Sequence, residues 1–356
     1  PNVKVVAIGD VFQFRVDGCK KFLTGKFKDM VDLPEGRCHV GLDAYQKVIN
    51  EDIDLVLLAT PPGFRPLHIE AAVKAGRNIF TEKPIAVDGP GVQKVLAAAE
   101  EAKKKKLAIV AGTQRRHQTG YLETMKRIHG GAIGEIVAAR AYWNGGNIWF
   151  RKRETNMTDA AYQCHNWYHF MWICGDHIVE QHIHNLDVIN WAMSKDPQNI
   201  VHPERAIGMG GRSHRPAGDP NEVGNIFDHF AVEYFYPNGA VMQSYCRQID
   251  GTVQSVSESL VGTKGACQVN EYTINGHRVL NGSDNKPYVQ EHTDLIASIR
   301  KKEPLNELKT VAESTLTAIM GRMATYTGEE ITWQMALESD DSFPKNLSWD
   351  ASLPVD

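Results

Sequence analysis

Two stretches of this chain combine residue types and spacing that can do chemistry: Glu82-Lys83-Pro84, and GDHIVEQHIHNLDVINW at 175–191. The tripeptide closes an apolar run at 78–80 and sets an ammonium there, with a proline fixing the chain after it. A lysine held in a cleft can assist proton transfer. If the second stretch is helical from His177, then His177, Glu180, His184, Asp187 and Trp191 fall on one polar face. Val179, Ile183, Leu186 and Ile189 or Asn190 make an apolar stripe beside it, so the polar face is more than a solvent face. At i and i+4, Glu180 and His184 can hydrogen-bond, which would orient the imidazole and raise its basicity. The plain alternative is a satisfied core histidine with a structural acid. Tyr162, Trp167, Tyr168, Phe170 and Trp172 lead into the segment, and such rings suit either a sugar face or a core. His177, Glu180 and His184 could also form a divalent-metal set, but three such groups on one stripe more often make a hydrogen-bonded network, and no metal is expected.

The elements that position these residues follow from hydrophobic pattern. Residues 3–8 read as a buried strand ending on Gly9-Asp10, residues 22–28 as helical, 54–59 as a second buried strand, and 68–75 as a helix closed by Gly76. Residues 78–80 are a third strand, 92–106 an Ala-rich helix ending in the lysine run at 103–106, and 107–111 a further strand. This alternation means a parallel, doubly wound sheet, with Asp10, Thr60, Glu82 and Gln114 along its carboxyl rim as the expected cofactor crevice. An acid at a strand end commonly takes the adenosine ribose hydroxyls, about 20 residues after a G-x-G-x-x-G loop. Only nine residues precede Asp10, so the first strand and phosphate loop of this fold are expected to be missing from the chain as given. GMGGR at 208–212 is no substitute, because it lacks a strand-loop-helix setting.

Beyond about residue 120 the pattern turns antiparallel. Strands are expected at 135–144, 205–210, 229–236, 240–248, 253–261 and 266–270, with Pro237-Asn238-Gly239 as a hairpin turn, and helices at 289–302 and 309–327. The chain thus divides into a partial Rossmann domain at 1–118 and a second α/β domain at 119–356 with a large, mostly antiparallel open sheet. Its 356 residues carry 39 basic and 43 acidic side chains, well mixed, and no apolar run near 18 residues, which argues against nucleic-acid and membrane partners. The six cysteines form no C-x-x-C pair and read as free thiols. The compartment is left open, with the cytoplasm as default.

At the residues quoted above the sequence resembles the Gfo/Idh/MocA oxidoreductases. Glu82-Lys83-Pro84 matches the family's E-K-P, and residues 176–187 align with its G-x-x-x-D-x-G-x-H-x-x-D motif. TPPGFRPLH at 60–68 looks like its post-strand loop and GTQRRH at 112–117 like its first segment after the nucleotide domain. The resemblance implies NAD, with NADP as the alternative, held around Asp10, Thr60, Pro61, Pro62, His68, Glu82, Lys83 and Gln114. It makes Lys83 and His184 catalytic with Glu180 in support, and puts Arg116, Trp167, Tyr168, His182 and Asp187 around a sugar or cyclitol. Two positions depart from the pattern: Glu180 replaces the usual aspartate, and His182 replaces a glycine, which should crowd the pocket and make it more basic.

Three kinds of function are compatible with these residues. The favoured one is nicotinamide-dependent oxidation of a sugar, cyclitol or glycoside hydroxyl by hydride transfer. A redox-neutral glycoside cleavage using NAD, and a cofactor-independent lyase or a sugar- or metal-binding protein, are the others. Self-association as a dimer or tetramer through the open sheet is the common habit of the family that the sequence resembles.

Overall fold

The computed structural model describes residues 2–196, 200–340, 344 and 347–355. Five short parallel strands come first: β1 Ile8–Asp10, β2 Cys38–Val40, β3 Leu55–Leu58, β4 Asn78–Thr81 and β5 Ile109–Ala111. β1 pairs with β2, while β4 lies between β3 and β5, so the strands form a two-stranded and a three-stranded sheet. Residues of β1 and β3 line the two sides of one cleft. The expected strand at 3–8 is displaced: only Ile8–Asp10 forms a ladder, with a single bridge from Val5 to Val31 before it. Val3 and Val5 are exposed, because a β-branched run becomes a strand only where a partner runs beside it.

The helix expected at 22–28 starts earlier, spanning Gln13–Lys26, and a helix at Ala44–Asn50 had no clear sequence signal. Arg65–Lys74 connects β3 to β4, and Gly89–Lys105 connects β4 to β5. Asp88 caps the latter by accepting from Gly91 N at 2.7 Å, and Lys106 closes it at φ 56° with the lysine run in its solvated last turn. Beneath these helices Val56, Leu58, Ile79 and Ile109 are buried.

The second sheet has nine strands: β6 Ile136–Gly145, β7 Arg205–Gly211, β8 His229–Phe235, β9 Val241–Gln248, β10 Ser255–Gly262, β11 Gly265–Gln268, β12 Thr273–Ile274, β13 His277–Arg278 and β14 Ile331–Thr332. Their order is 13-12-11-10-6-9-8-7-14, and every pair is antiparallel except β6 with β9. Strict alternation of buried and half-exposed residues along β8 and β9 gives the sheet one inward face. The glycines of GMGGR lie in β7, and a Cβ at Gly208 would stand 2.5 Å from Thr325 Oγ1, so packing rather than phosphate accounts for that glycine.

Helix Leu308–Thr327, buried along most of its length, packs on this sheet and on helix Gly89–Lys105. At Gly321 a Cβ would come within 1.9 Å of Tyr234 Oη, so glycine is what lets helix and sheet approach. Among the described residues no helix is long and apolar enough to cross a membrane.

Candidate active site

Lys83 leaves the end of β4 through Glu82, whose N–H bonds the Leu58 carbonyl at 2.9 Å. The Glu82 carboxylate lies over Gly112, where any Cβ would strike Oε2 at 2.4 Å. The Lys83-Pro84 peptide bond is cis. Lys83 Nζ points into the protein and donates to Glu180 Oε1 at 3.1 Å and to the Glu180 carbonyl; both residues are buried.

The 175–191 stretch is two helices, not one. His177–Glu180 forms a single turn and Ile183–Met193 a longer helix, with Gln181 and His182 between them. The turn starts at Asp176, which adopts φ +70°, a conformation natural to the glycine of the motif it aligns with. Its carboxylate accepts from His177 N at 2.5 Å, Phe227 N at 2.8 Å and Tyr326 Oη at 2.7 Å, which holds the residue there.

The break corrects the expected Glu180–His184 hydrogen bond. Residues four apart share a face only on a continuous helix, and the Lys83 ammonium is a stronger partner for a carboxylate than a neutral imidazole. His184 instead stacks on Trp143, centroids 5.7 Å apart and planes at 22°. Burial, followed by the Lys83 and Arg115 charges, pushes its pKa well below the ordinary 6.5, so the ring is neutral.

His182 is also corrected. It is fully buried, shares a hydrogen bond with Ser244 Oγ on β9 at 2.8 Å, and is pulled down to about 3 by burial. It is an uncharged core residue, and makes the pocket neither more basic nor more crowded. Asp187 and Arg116 satisfy each other in a bidentate pair at 2.8 and 2.9 Å, and Asp187 also accepts from Ser314 Oγ at 2.6 Å. Arg116 lies over the Trp191 ring at 5.0 Å. Both side chains, expected around the substrate, are thus engaged with each other.

Of the expected cofactor residues, Asp10, Thr60, Pro61 and His68 line the cleft between β1 and β3, together with Arg15, Tyr45 and Trp167. Asp10 Oδ1 accepts from Phe12 N at 2.9 Å. His68 Nδ1 is 3.0 Å from Thr60 Oγ1, and its ring stacks on Tyr45 at 4.1 Å. Burial, then the Arg65 charge, lowers it to about 3, so it is a neutral wall. Trp167, expected beside the substrate, lines this cleft instead. Pro62 is buried in the turn Pro62–Phe64 behind it. Glu82, Lys83 and Gln114 sit at the ends of β4 and β5 outside this cleft, where Gln114 Nε2 donates to Tyr288 Oη at 3.3 Å. Among the described residues no group of three or more His, Cys, Asp or Glu is arranged to hold a metal; His177 packs edge-on to Phe230.

Several polar groups near the site had no clear sequence signal. Glu258 on β10 is buried and receives Arg115 at 2.7 Å, Asn185 at 2.6 Å and Tyr121 at 3.1 Å. Tyr168 is buried and accepts from Gln248 Nε2 at 3.0 Å. His117, between Asp294 at 2.7 Å and Glu307 at 3.1 Å, ties the exit of β5 to the C-terminal helices. Burial opposes its charge, but these two carboxylates outweigh it and raise the pKa to about 9.

Residues 3–110 match a family described as an oxidoreductase family with an NAD-binding Rossmann fold. The match lies in the N-terminal part of the chain and says what that part is similar to. Among its relatives, the inositol 2-dehydrogenase of Klebsiella pneumoniae (strain 342) is 27% identical over 173 residues, which is 48% of this chain and 44% of that protein. The alignment thus spans under half of that relative's length. In fold, the chain resembles the aldose-aldose oxidoreductase from Caulobacter crescentus complexed with glycerol, with TM-score 0.69, 16% identity and 92% and 91% of the two chains covered. The scyllo-inositol dehydrogenase from Lactobacillus casei with bound NAD(H) and scyllo-inositol gives TM-score 0.67 at 16% identity, covering 94% and 93%. At these identities the likeness to solved structures is one of fold.

Proposed function

We propose that this protein is an NAD-dependent dehydrogenase that oxidises a secondary hydroxyl of a cyclitol, sugar or glycoside. The carrying observation is Lys83 at the end of β4, ion-paired to Glu180 and close enough to His184 for its charge to help keep that imidazole neutral. An acidic group at the end of β1, a threonine and a neutral histidine across the cleft fit a dinucleotide, with Asp10 placed for ribose hydroxyls. In this reading residues 1–118 bind the cofactor and 119–356 the substrate.

The nicotinamide, when bound, supplies the hydride acceptor. His184, neutral at physiological pH, accepts the proton of the substrate hydroxyl. The Lys83 ammonium donates a hydrogen bond to the same oxygen and stabilises the developing alkoxide. Glu180 keeps Lys83 aimed. Its extra methylene relative to aspartate gives the carboxylate the reach to meet Lys83 at 3.1 Å. The Trp143 ring over His184 offers apolar surface of the kind a polyol ring uses.

Inositol 2-dehydrogenase among the relatives supports a cyclitol as first substrate to try. A panel of inositols, aldoses and glycosides with NAD, followed by nicotinamide absorbance, tests the assignment. Reduction that depends on Lys83 is expected; a panel inert in both directions would remove it. The same reading includes self-association through the outer face of the nine-stranded sheet, where Ile207 and Met209 are exposed and Tyr142 stacks on Tyr245 at 5.4 Å. Light scattering of Met209→Asp beside the unmodified protein tests it, with a fall in mass expected.

A further inference from the structure

His184 is followed by Asn185 on helix Ile183–Met193, and its ring stacks on the Trp143 indole at 5.7 Å with 22° between the planes. Helix and indole both lead to Glu258. On the antiparallel pair β6–β10, Trp143 lies opposite Val256 and Ala141 opposite Glu258, so Trp143 and Glu258 are diagonal neighbours on one face of the sheet. Glu258 is fully buried. Its Oε1 accepts from Asn185 Nδ2 at 2.6 Å and from Arg115 Nη1 at 2.7 Å, while Oε2 accepts from Tyr121 Oη at 3.1 Å. Arg115, on the turn Gln114–His117 at the exit of β5, is buried with it. Its guanidinium carbon lies 5.9 Å from the centroid of the Trp143 ring it covers and 5.6 Å from that of Tyr121, within cation–π reach.

We infer that Arg115 and Glu258 are positioning residues for His184: Glu258 anchors the helix through Asn185 and aims the guanidinium that seats Trp143, the ring on which His184 stacks. One carboxylate thus fixes the imidazole from two sides, its backbone through the next residue and its plane through the indole. Arginine suits the place because a planar fork can donate to a carboxylate and lie against a ring at the same time. Its charge also reaches His184, whose pKa is held down by burial first, then by Lys83 and Arg115. The inference rests on the dehydrogenase reading for its effect on turnover, while its effect on the His184 ring is independent of any substrate.

The test is the NMR spectrum of histidine-labelled protein, read without cofactor or substrate, in the wild type, in Glu258→Gln and in the double variant Arg115→Met with Glu258→Gln. The double variant removes both buried charges together and leaves neither unpaired, so it serves where Glu258→Gln alone fails to fold. The His184 signal is the one lost in His184→Asn, and its ring C–H resonances should lie upfield because the stacked indole shields them. In both test variants they should move downfield, while those of His39 beside Glu51 and His202 on Trp333 stay in place. In the polyol assay the double variant should lose about tenfold in kcat with KM little changed, as a misplaced base requires. An unmoved His184 resonance in the double variant would overturn the inference, and so would turnover equal to the wild type's or a loss confined to KM. Failure of every polyol to react would count against the dehydrogenase reading and leave the His184 result standing.

Discussion

Lys83 and Glu180 are 97 residues apart in sequence and meet at 3.1 Å, buried, where the end of a parallel strand faces a single helical turn. A buried pair of this kind is costly to break on one side, since the remaining charge is left without a partner. His184, held neutral by burial and then by the Lys83 and Arg115 charges, is the group free to take a proton.

Lys83→Ala should lose about 10²- to 10⁴-fold in kcat, and Glu180→Gln about 10²-fold, with circular dichroism unchanged. Steady-state kinetics of the two variants checks this. Near-normal turnover in Lys83→Ala would remove it from the chemistry.

The pH profile carries a sign. Because burial and two cations depress the His184 pKa, the acid limb of kcat/KM should lie below pH 6.5, and activity should be flat through the ordinary histidine range. An acid limb centred at or above 6.5 would contradict a neutral His184 as the base.

His182→Gly should destabilise the fold, by about 2–4 kcal/mol, because it empties a fully buried site and leaves Ser244 unpaired. His182 has φ −71°, so glycine offers no backbone relief in return. Denaturant unfolding measures the loss; a variant as stable as the wild type would show that the imidazole is not part of the core.

The alternation of strands and helices to residue 111, and the antiparallel strands beyond 135, were legible because hydrophobic period reports local structure directly. Lys83, His184 and Glu180 were singled out as candidates by the motifs that carry the family resemblance. What stayed hidden was pairing at long range. Nothing local announces that Glu180 meets Lys83, that Arg116 closes on Asp187, or that His182 turns to Ser244. The helix pattern from His177 was periodic, but the tertiary pull of Lys83 on Glu180 and of Ser244 on His182 coincides with a break at Gln181. Tyr168 and Gln248, 80 residues apart, could be joined only by the fold.

Stability should fall as pH rises from about 6.5 through 9. His117 binds its proton more tightly folded, at about 9 against 6.5, so its contribution is complete below 6.5 and lost through 9. Glu291, raised to about 8 by burial and then by Glu82, acts in the same direction, since ionising it in place costs folded protein. Thermal melts across this range should show a declining Tm, with a shallower slope in His117→Gln; a Tm that rises from 6.5 to 9 would show that neither group governs this window.

The most direct measurement of the central claim is isotope transfer. The protein is incubated with NAD and inositols or sugars deuterated at the carbinol carbons, and the nicotinamide is recovered for mass spectrometry. Deuterium on the reduced nicotinamide, abolished in Lys83→Ala and in His184→Asn, is the predicted result. Conversion of a substrate with no label ever reaching the nicotinamide, or label transfer that persists in both variants, would contradict it.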